Sequence, residues 1–159
     1  MPGSGKTTIG KLLGKKMGYS FMDTDDLIEK KEQITIGQVF KEKGEDYFRQ
    51  KEKQVIDELK NVTKAVIATG GGMPVFFDNL LRLKELGVVI YLRVPIEELD
   101  GRTSTNFNRP LLVEDRRKKL EDIIGFRHFY YEKADMIIDN CLRSPEETCE
   151  IIANKIKEL

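Results

Sequence analysis

Two periods of apolar residues divide the chain. Ile9, Leu12, Leu13 and Met17 recur at helical spacing, which predicts an amphipathic helix over residues 6–17 closed by Gly18. Tyr19 to Met22 is a short β-prone run that ends in Asp23-Thr24-Asp25-Asp26, and helix is predicted again over 26–32. Residues 34–59 form a longer helical pattern with Gly37 and Gly44 as break points. Its apolar stripe includes Val39, Phe40, Phe48, Val55, Ile56 and Leu59.

The second half carries uninterrupted apolar runs instead. Ala65-Val66-Ile67-Ala68-Thr69 and Val88-Val89-Ile90-Tyr91-Leu92 have the composition of strands buried on both faces, and Asp135 to Asp139 reads as a further strand. Helical patterns over 77–86, 96–102 and 114–133 separate them, and a last helix starts at Ser144-Pro145, a cap followed by proline at the first helical position. Strands alternating with helices predict an α/β fold, a three-layer doubly wound parallel sheet. Ligands of such folds bind beyond the carboxyl ends of the strands. Asp23, Asp25, Gly70 to Gly72 and Pro95 fall at or near those ends.

Composition narrows the function without choosing it. A chain of 159 residues suits one domain over 1–159. Acidic and basic residues balance at 27 each, so no nucleic-acid or anionic-membrane partner is expected. No apolar run reaches the ~20 residues of a membrane span, and no secretory leader pattern opens the chain, so a cytoplasmic location is expected. Cys141 and Cys149 read as single reduced thiols, and His128, the one histidine, as a surface or half-buried residue.

The chemistry starts at the beginning. Pro2-Gly3-Ser4-Gly5-Lys6-Thr7 is the second half of the phosphate-binding pattern G-x-x-x-x-G-K-[ST], and Thr8 continues it into the helix. Glycines let successive N–H groups converge on phosphate oxygens, and the helix points its positive end at the same anion. Lys6 is placed to reach terminal phosphates, and Thr7 to put its hydroxyl on Mg²⁺. Asp23 and Asp25 offer a carboxylate near the metal and one to orient or deprotonate an acceptor hydroxyl. Alternatively they only cap a helix. Arg49 and Arg127 suit capture of a carboxylate if the fold joins them, and otherwise read as surface arginines. Arg109-Pro110 closes the polar stretch 103–108 and reads as a lid arginine or a solvated one.

In combination the motifs resemble the shikimate kinases, small P-loop kinases of aromatic amino acid biosynthesis. They are Gly-Ser-Gly-Lys-Thr-Thr at 3–8, Asp-Thr-Asp at 23–25, Gly-Glu-x-x-Phe-Arg-x-x-Glu at 44–52, Thr-Gly-Gly-Gly at 69–72, Arg-Pro-Leu-Leu at 109–112, and Arg127 upstream of a tyrosine. The resemblance implies transfer of the ATP γ-phosphate to the 3-hydroxyl of shikimate, with Mg²⁺. It implies that Gly3, Ser4, Gly5, Lys6, Thr7 and Thr8 cradle ATP phosphates and that Arg102 and Pro145 sandwich adenine. It further implies that Arg109 touches the phosphates, that Thr7 and Asp23 serve the metal, that Lys6, Asp25 and Arg109 carry catalysis, and that Asp25, Arg49, Gly70, Gly71, Gly72 and Arg127 hold shikimate. The family fold has strand order 2-3-1-4-5, a helical substrate-binding part (here 24–60) and a lid (here 103–114).

Two departures qualify these expectations. Arg127-His128-Phe129-Tyr130-Tyr131 lacks the family's usual proline and is one residue short before Ala134-Asp135. The first glycine of the phosphate pattern and the strand that feeds it, central in the family, are missing from the sequence before Met1. A gap is therefore expected between the strands at 64–69 and 88–93, with Met1 as a misplaced start or the first residue of a shortened chain. A monomer is expected, or a dimer if strand exchange supplies the missing pairing. The alternatives to shikimate kinase are a gluconate or nucleoside monophosphate kinase, or an inactive relic that binds nucleotide or a partner.

Overall fold

The structure, a computed structural model, describes residues 3–103 and 113–158. Helix α1 (Lys6–Met17) starts directly behind Gly5, whose φ of 85° is open to glycine and strained for other residues. Its inner face is Ile9, Gly10, Leu13 and Gly14. The bare Gly10 lets the helix lie close on the next element, since a Cβ there would sit 2.6 Å from the Phe21 ring. That element is β1 (Ser20–Asp23), which passes into α2 (Thr24–Glu32), with the Asp23 side chain accepting from the Asp25 N–H as its cap.

Helix α3 (Ile36–Leu59) opens with a full Thr35/Gln38 capping box. It runs through Gly37 without a break and kinks only at Gly44 (φ 81°, ψ 172°). Gly37 lies in the first helical turn, where a glycine costs little. Strand β2 (Ala65–Ala68) leads through Gly70 to Gly72 and a 3-10 turn over Met73–Val75 into α4 (Asn79–Leu86). Then come β3 (Ile90–Arg93), α5 (Ile96–Thr103), α6 (Val113–Tyr131), β4 (Met136–Asp139) and α7 (Pro145–Lys157). The fold is α/β with parallel strands. The polar stretch 104–112 lies outside the described residues.

Among the described residues the strands form two sheets of two. β1 pairs with β2 in parallel, Ser20 opposite Ala65 and Asp23 opposite Ala68. β3 pairs with β4 in parallel, Ile90 opposite Met136 and Arg93 opposite Asp139. A cavity of about 520 Å³ separates β2 from β3, and α1, α4, α7 and Tyr131 also line it. This differs from the expectation of strands buried on both faces. Ala65, Val66 and Ile67 are half-buried because the cavity lies beside them.

Three apolar clusters pack around the half-sheets. Ile9, Leu13, Leu92, Ile138 and Ile152 join α1 and α7 to one face. Ile28, Val39, Phe48, Val55, Ile56 and Met73 form the centre of the α2–α3 part. Val75, Val94, Leu99 and Tyr131 form the third. Glu32 holds α2 to α3 from outside, bonded to Lys43 (2.6 Å), Lys51 (3.0 Å) and the Tyr47 hydroxyl (2.9 Å).

Candidate active site

The carboxyl ends of the strands converge on the phosphate loop. From the end of β1, Asp23 Oδ2 accepts the Thr7 hydroxyl at 3.2 Å. Beyond β2, the Gly70 N–H donates to Thr24 Oγ1 at 3.1 Å. Just after β4, Asn140 Nδ2 donates to the Ser4 carbonyl at 3.1 Å while its Oδ1 accepts the Thr148 hydroxyl at 2.6 Å. The loop is thus held from β1 on one side and from β4 and α7 on the other. Gly3 (φ 73°) and Gly5 (φ 85°) flank Ser4, which is almost wholly buried. Both glycines take these left-handed positions without strain, and with no Cβ they leave the backbone N–H groups of the loop open to an anion. Thr7 and Thr8 stand exposed in the first turn of α1.

Lys6 closes the loop, with its Nζ 3.5 Å from Ser4 Oγ. Burial lowers its pKa, an effect opposed by the carboxylates of Asp25 and Asp23 and reinforced by Arg127. Asp25 is the complement: burial raises its pKa, Asp23 raises it further, and Lys6 opposes both. Its Oδ1 is buried and accepts no hydrogen bond from the described residues. A Cβ on Gly70 would lie 2.7 Å from that oxygen and 3.2 Å from Glu52 Oε1, so the glycine makes room for two carboxyl groups at once.

Arg49 is not a solvated helix residue. Only 7% exposed, it donates through Nε and Nη2 to Glu45 Oε1 (3.1 and 2.7 Å) and through Nη1 to Glu52 Oε2 (2.8 Å). Its guanidinium lies 4.0 Å from the Phe76 ring centre and 5.2 Å from that of Phe48. A Cβ on Gly72 would come within 2.3 Å of Arg49 Nη1, so the glycine turn and the arginine are fitted to each other. Arg127 joins them despite the shortened spacing. Its charge acts on Lys6, Glu52 and Tyr131, and the Tyr131 hydroxyl donates to the Gly71 carbonyl at 2.7 Å.

The remaining candidates divide. Pro145 is the first residue of α7, three positions before the Thr148 that anchors the phosphate loop through Asn140. Arg102 lies in α5, with its side chain outside the described residues, as is the whole of Arg109. His128 and Cys141 are exposed and Cys149 is buried, and no disulfide joins the two cysteines.

Glu52, Tyr131, Asn140 and Thr148 were not singled out as site residues. Glu52 had a signal, its position three residues after Arg49. Asn140 had one too, directly after a strand's carboxyl end. Tyr131 had one in its position four residues after Arg127, whereas Thr148, which acts across 8 residues, leaves no local mark.

A phosphate loop opening a helix at the ends of parallel strands, with a lysine, a hydroxyl–carboxylate pair and a second buried carboxylate beside it, defines a P-loop kinase of small molecules. Comparison with known proteins specifies the kind. The family model described as shikimate kinase matches residues 2–157. A shikimate kinase of Clostridium botulinum (strain Loch Maree / Type A3) is 44% identical over 99% of this chain and 93% of its own. The structure of a shikimate kinase from Acinetobacter baumannii in complex with shikimate superposes with a TM-score of 0.91 at 36% identity, covering 99% of this chain and 89% of that one. A crystal structure of shikimate kinase from Bacteroides thetaiotaomicron gives 0.90 at 28% identity. The chain belongs to the shikimate kinase family. Among the described residues no helix is long and apolar enough to cross a membrane.

Proposed function

We propose that this chain transfers the γ-phosphoryl group of ATP to the 3-hydroxyl of shikimate, and that the residues above divide the work as follows. Gly3 to Thr8 cradle the phosphates, and Lys6 meets the charge that develops on the transferred group. The Thr7 hydroxyl and Asp23 carboxylate suit Mg²⁺, a hard cation that needs few protein oxygens because it keeps water and phosphate ligands. Mg²⁺ there supplies charge neutralisation to the phosphates. Arg49 and Arg127, with the turn Gly70 to Gly72, take the carboxylate and ring of the acceptor. Residues 24–60 are the acceptor-binding part, and Pro145 and Arg102 are assigned to the base of ATP by family resemblance. The lid over 103–114 and the role of Arg109 complete the assignment by family resemblance alone.

One observation carries this reading: the Oδ1 of Asp25 is buried, has no hydrogen-bond partner among the described residues, lies against the Gly70 turn and feels the charge of Lys6. A carboxylate with a free lone pair, raised pKa and a cation beside it is suited to orient a hydroxyl and take its proton. Position and charge supply most of the catalysis in this reaction class. The sheet is read as the family order 2-3-1-4-5, in which the cavity between β2 and β3 is the central position.

The test is a coupled assay of ADP release with shikimate, gluconate and a nucleoside monophosphate as acceptors. Turnover with shikimate alone is expected, falling at least ~10²-fold in Lys6→Ala. Preferential turnover of another acceptor overturns the assignment. ATP binding without turnover of any acceptor identifies a relic.

A further inference from the structure

Tyr131 has no part in the division of work given above, yet the fold builds it into the site. Its ring is 7% exposed, belongs to the cluster of Val75, Val94 and Leu99, and lies 4.9 Å from the Tyr91 ring of β3. A ring held on several sides delivers its hydroxyl to one place. That place is the Gly71 carbonyl, 60 residues away along the chain, at 2.7 Å. Burial raises the pKa of the phenol against the opposing charge of Arg127, so the hydroxyl keeps its proton and donates at neutral pH.

This bond fixes the direction of an N–H. The Gly71 C=O and the Gly72 N–H belong to one planar trans peptide and point opposite ways. A hydroxyl that holds the carbonyl on one side therefore aims the Gly72 N–H to the other. A peptide between two glycines does not hold its own orientation well, because neither neighbour has a Cβ to exclude other backbone angles. The rest of the turn is restrained locally or from α2. The Gly70 carbonyl accepts the Met73 N–H at 3.1 Å, the Gly72 carbonyl accepts the Val75 N–H at 2.9 Å, and the Gly70 N–H donates to Thr24 Oγ1. The 71–72 peptide takes its restraint from Tyr131, across the fold. Two acceptor-side groups meet there. A Cβ on Gly72 would lie 2.3 Å from Arg49 Nη1, and Arg127 stands four residues before Tyr131 on the same side of α6.

We propose that Tyr131 is a positioning residue for the acceptor: its hydroxyl pins the Gly71–Gly72 peptide so that the Gly72 N–H meets an acceptor oxygen, and it ties the end of α6 that carries Arg127 to the same turn. The proposal rests on the acceptor assignment of the glycine turn given above and goes beyond it in naming the group that holds the turn in place. Tyr131 acts through Gly72 and Arg127, so loss of its hydroxyl weakens the acceptor side and spares the ATP side.

The full chain is compared with three variants in the coupled assay and in thermal melts: Tyr131→Phe, 4-aminophenylalanine at position 131, and Val94→Ala. Tyr131→Phe is expected to raise KM for shikimate about five-fold or more, the scale of one lost partner of a buried carbonyl, with KM for ATP unchanged. 4-Aminophenylalanine returns an N–H donor to the same ring and should restore the shikimate KM. Val94→Ala loosens the same cluster with the hydroxyl in place, and should lower the melting temperature with the shikimate KM unchanged. An equal rise of that KM in Val94→Ala and Tyr131→Phe assigns the effect to packing and overturns the proposal. In the parent, NMR should show the Gly72 amide shifted and protected from exchange when shikimate is added, and an unmoved Gly72 amide overturns the proposal without any variant. Tyr131→Phe with the parent's shikimate KM, or with KM for both substrates raised alike, refutes the positioning role and leaves the acceptor assignment standing. A parent that neither binds nor turns over shikimate refutes both.

Discussion

Replacing Arg49 by methionine tests the central claim that this arginine is held by burial and pairing. Methionine keeps the apolar stem against Phe76 and removes the charge. Glu52, whose Oε1 has no partner among the described residues and whose Oε2 is bonded to Arg49, then loses its hydrogen-bonded cation at 0% exposure. Breaking one partner of a buried pair costs about 3–5 kcal/mol. At ~2–4 °C per kcal/mol for a protein of this size, the melting temperature should fall by about 6–20 °C. Burial already raises the Glu52 pKa above its ordinary 4.5, with Arg49 opposing, so removing Arg49 raises it further. The folded variant then binds a proton that the unfolded chain has released. Its stability should recover as pH falls through the raised pKa toward 4.5, a trend opposite to ordinary acid denaturation. Adding Glu52→Leu to the variant should return most of the loss, because an apolar pair can replace a buried ion pair at little cost. Thermal melts of the parent, both singles and the double close the cycle, and they read stability apart from activity. A single-variant cost under about 1 kcal/mol, or a double-variant cost equal to the sum of the singles, would refute the reasoning.

Three further outcomes follow from the same geometry. Asp25→Asn should abolish the rise of kcat/KM with pH, which in the parent should occur above the ordinary carboxylate value of 3.8 because burial raises this group. A raised folded pKa means the charge opposes folding at neutral pH, so the asparagine variant should melt higher than the parent at pH 7 and equally below pH 3.8. Gly72→Ala puts a methyl within 2.3 Å of Arg49 Nη1 and should cost about 1–3 kcal/mol in denaturant melts, with KM for shikimate raised more than KM for ATP. Ser144→Ala breaks the capping box of α7, and chemical denaturation should show a loss of about 0.5–2 kcal/mol with kcat unchanged.

The sequence by itself determined the elements and most of the chemistry. Helical spacing from Ile9 to Met17, apolar runs at 65–69 and 88–92, and Gly-Ser-Gly-Lys-Thr opening a helix are local patterns, set by backbone geometry and short-range sterics. The 3-10 turn at Met73–Val75 and the unbroken passage through Gly37 departed from local reading because packing and capping outweigh single-residue preferences. Only the tertiary structure decided which candidates meet. It took Arg49 out of solvent, placed two carboxyl groups around Gly70, carried Arg127 and Tyr131 to the glycine turn, and tied Ser4 to Asn140. Burial and contacts across the fold produce those facts, and no spacing along the chain encodes them. The cavity between β2 and β3 belongs to the same class, since an open strand edge exists only relative to what packs beside it.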